Sequence, residues 1–281
     1  MFLPDLLAGK RILVTGGGTG LGAAMAERFA ALGAHLVLCG RRPEPLEDTA
    51  ARIRAVTGRA VETHRCDLRL SDAVATMMDA IWAQGPLDVL VNNAAATFIA
   101  RSERLSARAA DAVIAPTLHG ALYCTLEAGR RWIDTQHRGT VLSILSTSTL
   151  TGRAFTMPSS VAKSGVLAMT RSLAVEWGPH GIRLVAIAPG PFPTPGATGQ
   201  LGTGKREGRF AGDRIPLGRV GEHTELANLA SYLVSDQAGY ITGEMVTIDG
   251  GGHLRTSGAE DLLAWTDADW DAARPARSAK S

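Results

Sequence analysis

The sequence predicts an α/β protein, a doubly wound parallel sheet in a single domain that spans residues 1–281. Three observations support this prediction. Segments with strand character alternate with segments of helical periodicity along the chain. Most strand segments are short apolar runs, as in parallel sheets that are covered by helices on both faces. A glycine-rich turn follows the first strand segment, where such folds bind a nucleotide.

The individual elements follow from the apolar runs and from the glycines and prolines that end them. The predicted strands are residues 10–14, 35–39, 60–66, 87–91, 140–145, 182–187 and 245–248. The predicted helices are residues 23–32, 45–57, 71–84, 106–118, 119–134, 159–177 and 224–234. Gly33 and Gly58 end the first two helices, and Ser71 is the expected N-cap of the third.

Composition excludes several classes of function. With a net charge of +2, the chain has no basic footprint for nucleic acid. No apolar run reaches the roughly 18–20 residues of a membrane-spanning helix, and the N-terminus does not resemble a secretory signal. The 3 cysteines are scattered without metal-ligand spacing, so we expect no metal site and a reducing, cytoplasmic location.

One stretch departs from the regular alternation of elements. Residues 193–214 are rich in glycine and threonine and show no clear periodicity. Irregular segments of this length in a compact domain often form lids or binding loops. We therefore predict a substrate lid over 193–214, with an ordinary surface loop as the alternative.

The turn after the first strand has the composition of a dinucleotide-binding loop. Its residues are Thr15, Gly16, Gly17, Gly18, Thr19, Gly20, Leu21 and Gly22. Glycines let the backbone approach a pyrophosphate, and the N-terminus of the following helix supplies N–H groups and a positive dipole end. Because the turn lies between a strand and a helix, it predicts a Rossmann fold that binds a nicotinamide dinucleotide.

The end of the second strand predicts which nicotinamide cofactor is bound. NAD-binding folds usually carry an acidic residue there, which holds the ribose 2′-hydroxyl. This chain instead has Arg41 and Arg42. An arginine at this place is suited to the 2′-phosphate through charge-assisted hydrogen bonds, so we predict NADP(H).

The chain resembles the short-chain dehydrogenase/reductases over nearly its whole length. The resemblance rests on the glycine turn, Cys66-Asp67-Leu68, Asn92-Asn93-Ala94-Ala95, Lys163 and Pro189-Gly190-Pro191. It implies that Asp67 and Leu68 lie beside the adenine. It also implies that Asn92 supports the strand end where Asn93 and Ala94 meet the cofactor.

The same resemblance assigns the nicotinamide end of the cofactor. Lys163 would hold the nicotinamide ribose. The segment Pro189, Gly190, Pro191 and Phe192 would flank the nicotinamide ring. Members of this family commonly assemble as homo-oligomers, often tetramers, which we expect here as well.

A departure from the usual family pattern narrows the resemblance to one branch. Most members have a tyrosine four residues before the lysine, whereas this chain has Ser159 before Lys163. The Pro-Ser-x-x-x-Lys segment at 158–163 resembles the 2,4-dienoyl-CoA reductases. Further likeness lies at 92–99, 102–106, 172–178, 189–191 and 214–219, and in a C-terminal extension over 253–281.

That branch implies reduction of a conjugated dienoyl thioester by hydride from NADPH, with a tyrosine and an asparagine at the thioester oxygen. Here Ser148 stands at the place of the tyrosine, and His119 stands at the place of the asparagine. Histidine both donates hydrogen bonds and titrates near neutral pH, so His119 is the expected donor and proton source. Packing or helix capping is the alternative for His119, and a plain strand-end hydroxyl is the alternative for Ser148.

Two further serines complete the expected catalytic set. Ser146 stands where the wider family has its catalytic serine. Ser159 is expected in the site and is also a candidate N-cap of the long helix.

Substrate contacts implied by the branch are incomplete in this chain. Arg41 and Arg69 stand where the branch has arginines near the CoA phosphates, and Phe98 and His119 are expected beside the acyl group. Gln200 replaces a further arginine. Two other functions therefore remain open: a short-chain reductase of another small carbonyl compound, and a cofactor-binding protein without catalysis.

Overall fold

One parallel sheet organises the chain. The computed structural model describes residues 3–194, 215–255 and 262–273. The strands are β1 Arg11–Thr15, β2 His35–Gly40, β3 Val61–Arg65, β4 Val89–Asn92, β5 Thr140–Ile144, β6 Arg183–Pro189 and β7 Met245–Ile248. Their spatial order is β3-β2-β1-β4-β5-β6-β7, which confirms the predicted doubly wound topology. The chain changes direction between β1 and β4, and open α/β sheets bind ligands at such a point.

Helices cover both faces of this sheet. They are α1 Gly20–Ala31, α2 Pro43–Thr57, α3 Ser71–Trp82, α4 Ala107–Ile114, α5 Gly120–Asp134, α6 Ser148–Thr151, α7 Met157–Trp177, α8 His223–Val234 and α9 Asp267–Ala272. Helices α1, α2 and α8 pack with one set of strand side chains. Helices α3, α5 and α7 pack with the opposite set. Both faces are therefore buried, which explains the apolar strands.

Strand β3 is the exception to the expected apolar runs. It lies at the edge of the sheet and pairs only with β2. Glu62, Thr63 and His64 are half-buried there, and Glu62 accepts two 2.8 Å hydrogen bonds from Arg11. An edge strand has one neighbour fewer, so polar side chains are tolerated in it.

Three predicted helix starts are wrong by a few residues. Helix α1 already begins at Gly20, so the last residues of the glycine turn are helical. Leu70, not Ser71, is the N-cap of α3, and the Ser71 hydroxyl lies 3.3 Å from Asp72 Oδ1. Helix α7 begins at Met157, because a proline in its first turn needs no N–H partner. Ser159 is therefore its third residue and not its N-cap.

The predicted boundary between two helices at 118 and 119 is instead one continuous helical run. Helix α4 passes through a π-helical turn, Ala115–His119, directly into α5. Pro116 lies in this turn and has no backbone N–H to donate. A widened turn tolerates the missing hydrogen bond, and π turns of this kind are frequent at functional sites.

Parts of two predicted segments lie outside the described residues. These parts are 195–214 of the predicted lid, with Gln200, and 256–261 and 274–281 of the C-terminal extension. In the described part of the extension, Trp265 and Trp270 pack edge to face at 5.0 Å. Within the described ranges, no helix is both long enough and apolar enough to cross a membrane.

Candidate active site

The glycine turn after β1 closes so tightly that side chains would not fit. A Cβ atom on Gly22 would lie 2.3 Å from the carbonyl oxygen of Gly16 and 2.6 Å from Asn93 Nδ2. A Cβ atom on Gly18 would lie 2.8 Å from the backbone of Pro45. Gly16 and Gly20 have positive φ angles of 65° and 54°, which glycine adopts without strain. The turn therefore presents bare backbone at the N-terminus of α1, as a pyrophosphate requires.

A buried threonine fixes this turn to the neighbouring strand. The Thr15 hydroxyl donates to the carbonyl of Val91 at 3.1 Å. It also accepts from the backbone N–H groups of Asn93 at 2.9 Å and Ala94 at 3.0 Å. The Asn93 amide donates back to the Thr15 carbonyl at 2.9 Å. The ends of β1 and β4 are thus held together, and the predicted residues Asn93 and Ala94 lie beside the glycine turn.

The expected adenine end contains an arginine–aspartate pair. Arg69 donates to Asp67 through Nε at 2.9 Å and through a terminal nitrogen at 2.5 Å. These bonds lower the pKa of the Asp67 carboxyl, and the charge of Arg41 adds to the effect. Arg41 therefore lies near Asp67, and Arg42 is exposed as the N-cap of α2.

This pairing bears on the expected role of Arg69. Asp67 engages Nε and one terminal nitrogen of its guanidinium group, so the other terminal nitrogen is the one left for a contact with substrate phosphates while the pair is intact. Leu68, between the two, is buried, and its Cβ lies 2.9 Å from where Gly120 would carry a Cβ. The start of α5 is therefore packed directly against the expected adenine end.

The segment after β6 closes the opposite side of the cleft. Gly190 lies against Asp249, where an added Cβ would come within 2.5 Å of the Asp249 Cβ. The Phe192 side chain is buried beneath Gly221, so the backbone and the two prolines of this segment are the groups available to flank a nicotinamide. Thr194 reaches back to the glycine turn, within 3.2 Å of a Cβ on Gly20.

Lys163 occupies the base of the cleft. Its side chain is only 7% exposed, and its Nζ donates to the carbonyl of Ile144 at the end of β5. Burial lowers the pKa of Lys163 from 10.5 to about 8. Ser159 lies one helical turn earlier on α7 and is half-buried, so both side chains are on the same face of the helix.

The other predicted serines lie just beyond the Lys163 contact. Ser146 follows β5 by two residues, and Ser148 is the first residue of the short helix α6. The Ser148 N–H donates to the Ser146 hydroxyl at 3.3 Å, and the Ser148 side chain is buried. The structure therefore gathers Ser146 and Ser148 at the end of β5, next to the carbonyl that Lys163 contacts.

His119 is exposed at the end of the π turn. Its ring centroid lies 6.0 Å from that of Tyr123, one turn further along α5. Phe98 lies half-buried on the loop after β4, the loop that the π turn holds through Thr117. The buried Thr117 hydroxyl accepts from the N–H of Ala96 at 3.1 Å.

Sequence reasoning missed two residues that shape the cleft, Thr194 and Asp249. Asp249 accepts hydrogen bonds from the N–H groups of Gly251 at 3.0 Å and His253 at 2.7 Å. Asp249 comes directly after β7, at a strand end beside a run of glycines, and this sequence feature could have identified it as a residue of the cleft.

The residues fit a nicotinamide dinucleotide. The bare glycine turn suits the pyrophosphate, and the buried ammonium group of Lys163 suits ribose hydroxyls at the other end. The cleft runs along the carboxyl ends of the strands on both sides of the reversal point. Fold and site together define an oxidoreductase of the Rossmann type.

The chain belongs to the short-chain dehydrogenase/reductase family. Residues 16–253 match the family model described as enoyl-(acyl carrier protein) reductase. A Bacillus subtilis relative named "Probable 2,4-dienoyl-CoA reductase [(2E)-enoyl-CoA-producing]" is 41% identical over 86% of this chain and 96% of its own length. The peroxisomal 2,4-dienoyl-CoA reductase [(3E)-enoyl-CoA-producing] of Rattus norvegicus is 33% identical over 89% of this chain and 86% of its own.

A solved structure shows the same fold with cofactor. A dehydrogenase crystal structure from Agrobacterium tumefaciens with bound NADP has a TM-score of 0.81 and 32% identity. It covers 90% of this chain and all 100% of its own. These comparisons confirm the family and the branch to which the sequence points.

The buried charge of Lys163 yields a prediction about stability. Burial lowers the pKa of Lys163 in the folded state to about 8. The free-energy cost of burying its charge is therefore fully present below pH 8, and it is relieved as the pH rises toward 10.5. The Lys163→Met variant is therefore expected to be more stable at pH 7, by up to about 3 kcal/mol. That advantage should shrink by pH 10. Urea unfolding at both pH values measures it, with Lys10→Met as the control; a Met variant that is less stable at pH 7 contradicts it.

Proposed function

We propose that this protein reduces a 2,4-dienoyl-CoA, or a related conjugated enoyl thioester, with NADPH. The observation that carries the proposal is the Ser159–Lys163 pair on α7, in the place where reductases of alcohols and ketones have tyrosine and lysine. The relatives named as 2,4-dienoyl-CoA reductases support the same substrate class.

Different residues of the cleft have different proposed roles. The bound cofactor would supply hydride to the conjugated chain, and negative charge then develops on the thioester oxygen. We assign the cofactor to the glycine turn, Arg41, Lys163 and the segment 189–192. His119 is the proposed donor to the developing oxyanion, and Ser146 and Ser148 are the second set of donors. An oxyanion needs preorganised donors because charge stabilisation is greatest where water is excluded.

Two other functions have specific support. Reduction of a different small carbonyl compound is supported by the wider family, because the carbonyl oxygen would need the same donors. Cofactor binding without catalysis is supported by the absence of tyrosine at 148 and 159.

A steady-state assay of NADPH oxidation separates the three functions. We expect turnover with 2,4-hexadienoyl-CoA and none with a panel of ketones and aldehydes. Turnover with the carbonyl panel alone would favour the second function. Tight NADPH binding without turnover of any compound in either set would favour the third.

The expected preference for NADPH rests on Arg41. Its charge acts on Asp67, the residue expected beside the adenine, and this supports a role for Arg41 at the 2′-phosphate of the adenine ribose. Losing a charge-assisted hydrogen bond costs about 1.5–3 kcal/mol, so Arg41→Asp should weaken NADPH binding roughly tenfold to a hundredfold and favour NADH. Fluorescence titration of both cofactors measures this, with Arg59→Ala, beyond the other end of β3, as the control. Equal affinity of the unaltered protein for NADH and NADPH contradicts the prediction.

Two substitutions test the proposed role of His119 as a donor to the oxyanion. Removing an oxyanion donor commonly costs about a hundredfold to a thousandfold in rate, so His119→Ala should lower kcat by that factor and leave NADPH affinity nearly unchanged. His119→Asn, which restores the residue implied by the branch, should retain part of the activity. If His119→Ala turns over as fast as the parent, the donors are the serines at the end of β5.

The compartment and assembly remain parts of the proposal. Cys39, Cys66 and Cys124 are buried free thiols, and burial raises their pKa, so they are kept as packing groups. We propose the cytoplasm on this basis, although some relatives are described as peroxisomal. A homotetramer is proposed from the family resemblance.

A further inference from the structure

The segment that is expected to flank the nicotinamide has few backbone donors of its own. Three of its six residues, 189–194, are prolines, which have no backbone N–H. Gly190 donates to the Ile248 carbonyl at 2.9 Å and so ties the start of the segment to the end of β7. The rest of the segment depends largely on donors elsewhere in the chain that reach its carbonyl oxygens.

The start of α8 supplies two such donors. The N–H of Gly221 donates to the Pro191 carbonyl at 3.0 Å. The Nε2 atom of His223 lies 2.7 Å from the carbonyl oxygen of Pro193. Because a carbonyl oxygen only accepts, Nε2 carries the hydrogen and the imidazole ring is the donor. Two alternate carbonyls of the segment are thus bound from one short stretch of chain.

That short stretch is itself fixed in place. The N–H of Glu222, the N-cap of α8, donates to the Glu225 carboxylate at 2.9 Å. Arg219 donates twice to the same carboxylate, at 2.8 and 2.7 Å. A Cβ atom on Gly221 would lie 2.3 Å from the buried ring of Phe192, so the two backbones are packed tightly together. The ring of His223 therefore projects from an ordered helix end.

The carbonyl that His223 binds belongs to the peptide bond between Pro193 and Thr194. Thr194 in turn lies at the glycine turn, within 3.2 Å of where Gly20 would carry a Cβ atom. A hydrogen bond to this peptide therefore fixes the place where the segment after β6 meets the turn after β1. That place sets the width of the expected cofactor cleft.

The two donors differ in what they require of the sequence. A backbone N–H, as at Gly221, is present with any residue except proline. The second donor exists only because residue 223 carries a side chain that donates at the right length. The contact with Pro193 is therefore the part of this arrangement that a substitution can remove.

We propose that His223 is a positioning residue for the nicotinamide half of the cofactor. Its ring holds the Pro193–Thr194 peptide and so keeps the segment 189–194 at a fixed distance from the glycine turn. His223 acts through this segment and touches neither cofactor nor substrate. The inference rests on the proposed function for its cofactor, NADPH, and is independent of which compound is reduced.

A fragment of the cofactor separates this role from general support of the fold. NADPH occupies both halves of the cleft, whereas adenosine 2′,5′-bisphosphate has the adenine end and no nicotinamide. Losing one hydrogen bond typically costs about threefold to tenfold in affinity, so His223→Ala should weaken NADPH binding by that factor. Its affinity for the bisphosphate should stay nearly unchanged. Calorimetric titration of the full-length protein with both compounds measures the difference.

Matched variants identify the hydrogen bond as the cause. His223→Gln places an amide N–H near the position of Nε2 and should restore most of the NADPH affinity. His223→Leu has a similar bulk without a donor and should behave like His223→Ala. Thr224→Ala, at the exposed next residue of α8, should leave both affinities unchanged.

The outcomes separate this inference from the proposed function. Equal losses of affinity for NADPH and the bisphosphate in His223→Ala would overturn the positioning role, and so would a His223→Gln variant that binds NADPH as weakly as His223→Ala. A parent protein that binds NADPH no more tightly than the bisphosphate would overturn it too. If the predicted difference is found and no thioester is reduced, the positioning role is supported and the proposed substrate alone is wrong.

Discussion

The hydroxyl of Thr15 joins the two strands between which the chain changes direction, and the cleft is built around that connection. It is buried, donates to β4 and accepts from the two residues that follow β4. A hydroxyl serves here because one oxygen both donates and accepts. The end of β1, which starts the glycine turn, and the loop 93–101, which the π turn contacts through Thr117, are thereby fixed to each other. Both walls of the expected cofactor cleft depend on this one side chain.

The site also requires that separate backbone segments come very close to each other. Gly22 meets the Gly16 carbonyl, and Gly190 meets Asp249, each at distances that no Cβ allows. Main-chain groups therefore line the cofactor cleft at these two points, and they keep their positions when side chains change. Residues 119, 148 and 159, where the resemblance implies departures from family patterns, all lie on helical segments that the sheet supports.

The sequence predicted the topology and the cofactor cleft because both depend on local patterns. Apolar runs define strands, and a glycine turn between strand and helix defines the nucleotide loop. Other features depend on side-chain rotamers or on contacts between distant segments. The Arg69–Asp67 pair depends on side-chain rotamers, and the burial of Phe192 depends on Gly221, which follows it by 29 residues. The start of α7 was misplaced because Ser159 has the chemistry of an N-cap, although Pro158 already lies within the helix.

The position of Lys163 gives a reason for a buried charge in a domain whose core is otherwise mostly apolar. An ammonium group loses its hydration when it is buried, and one carbonyl bond does not replace it. A methionine of similar length would pack there without that cost. A residue that lowers stability at the centre of a ligand cleft is better explained by function than by folding.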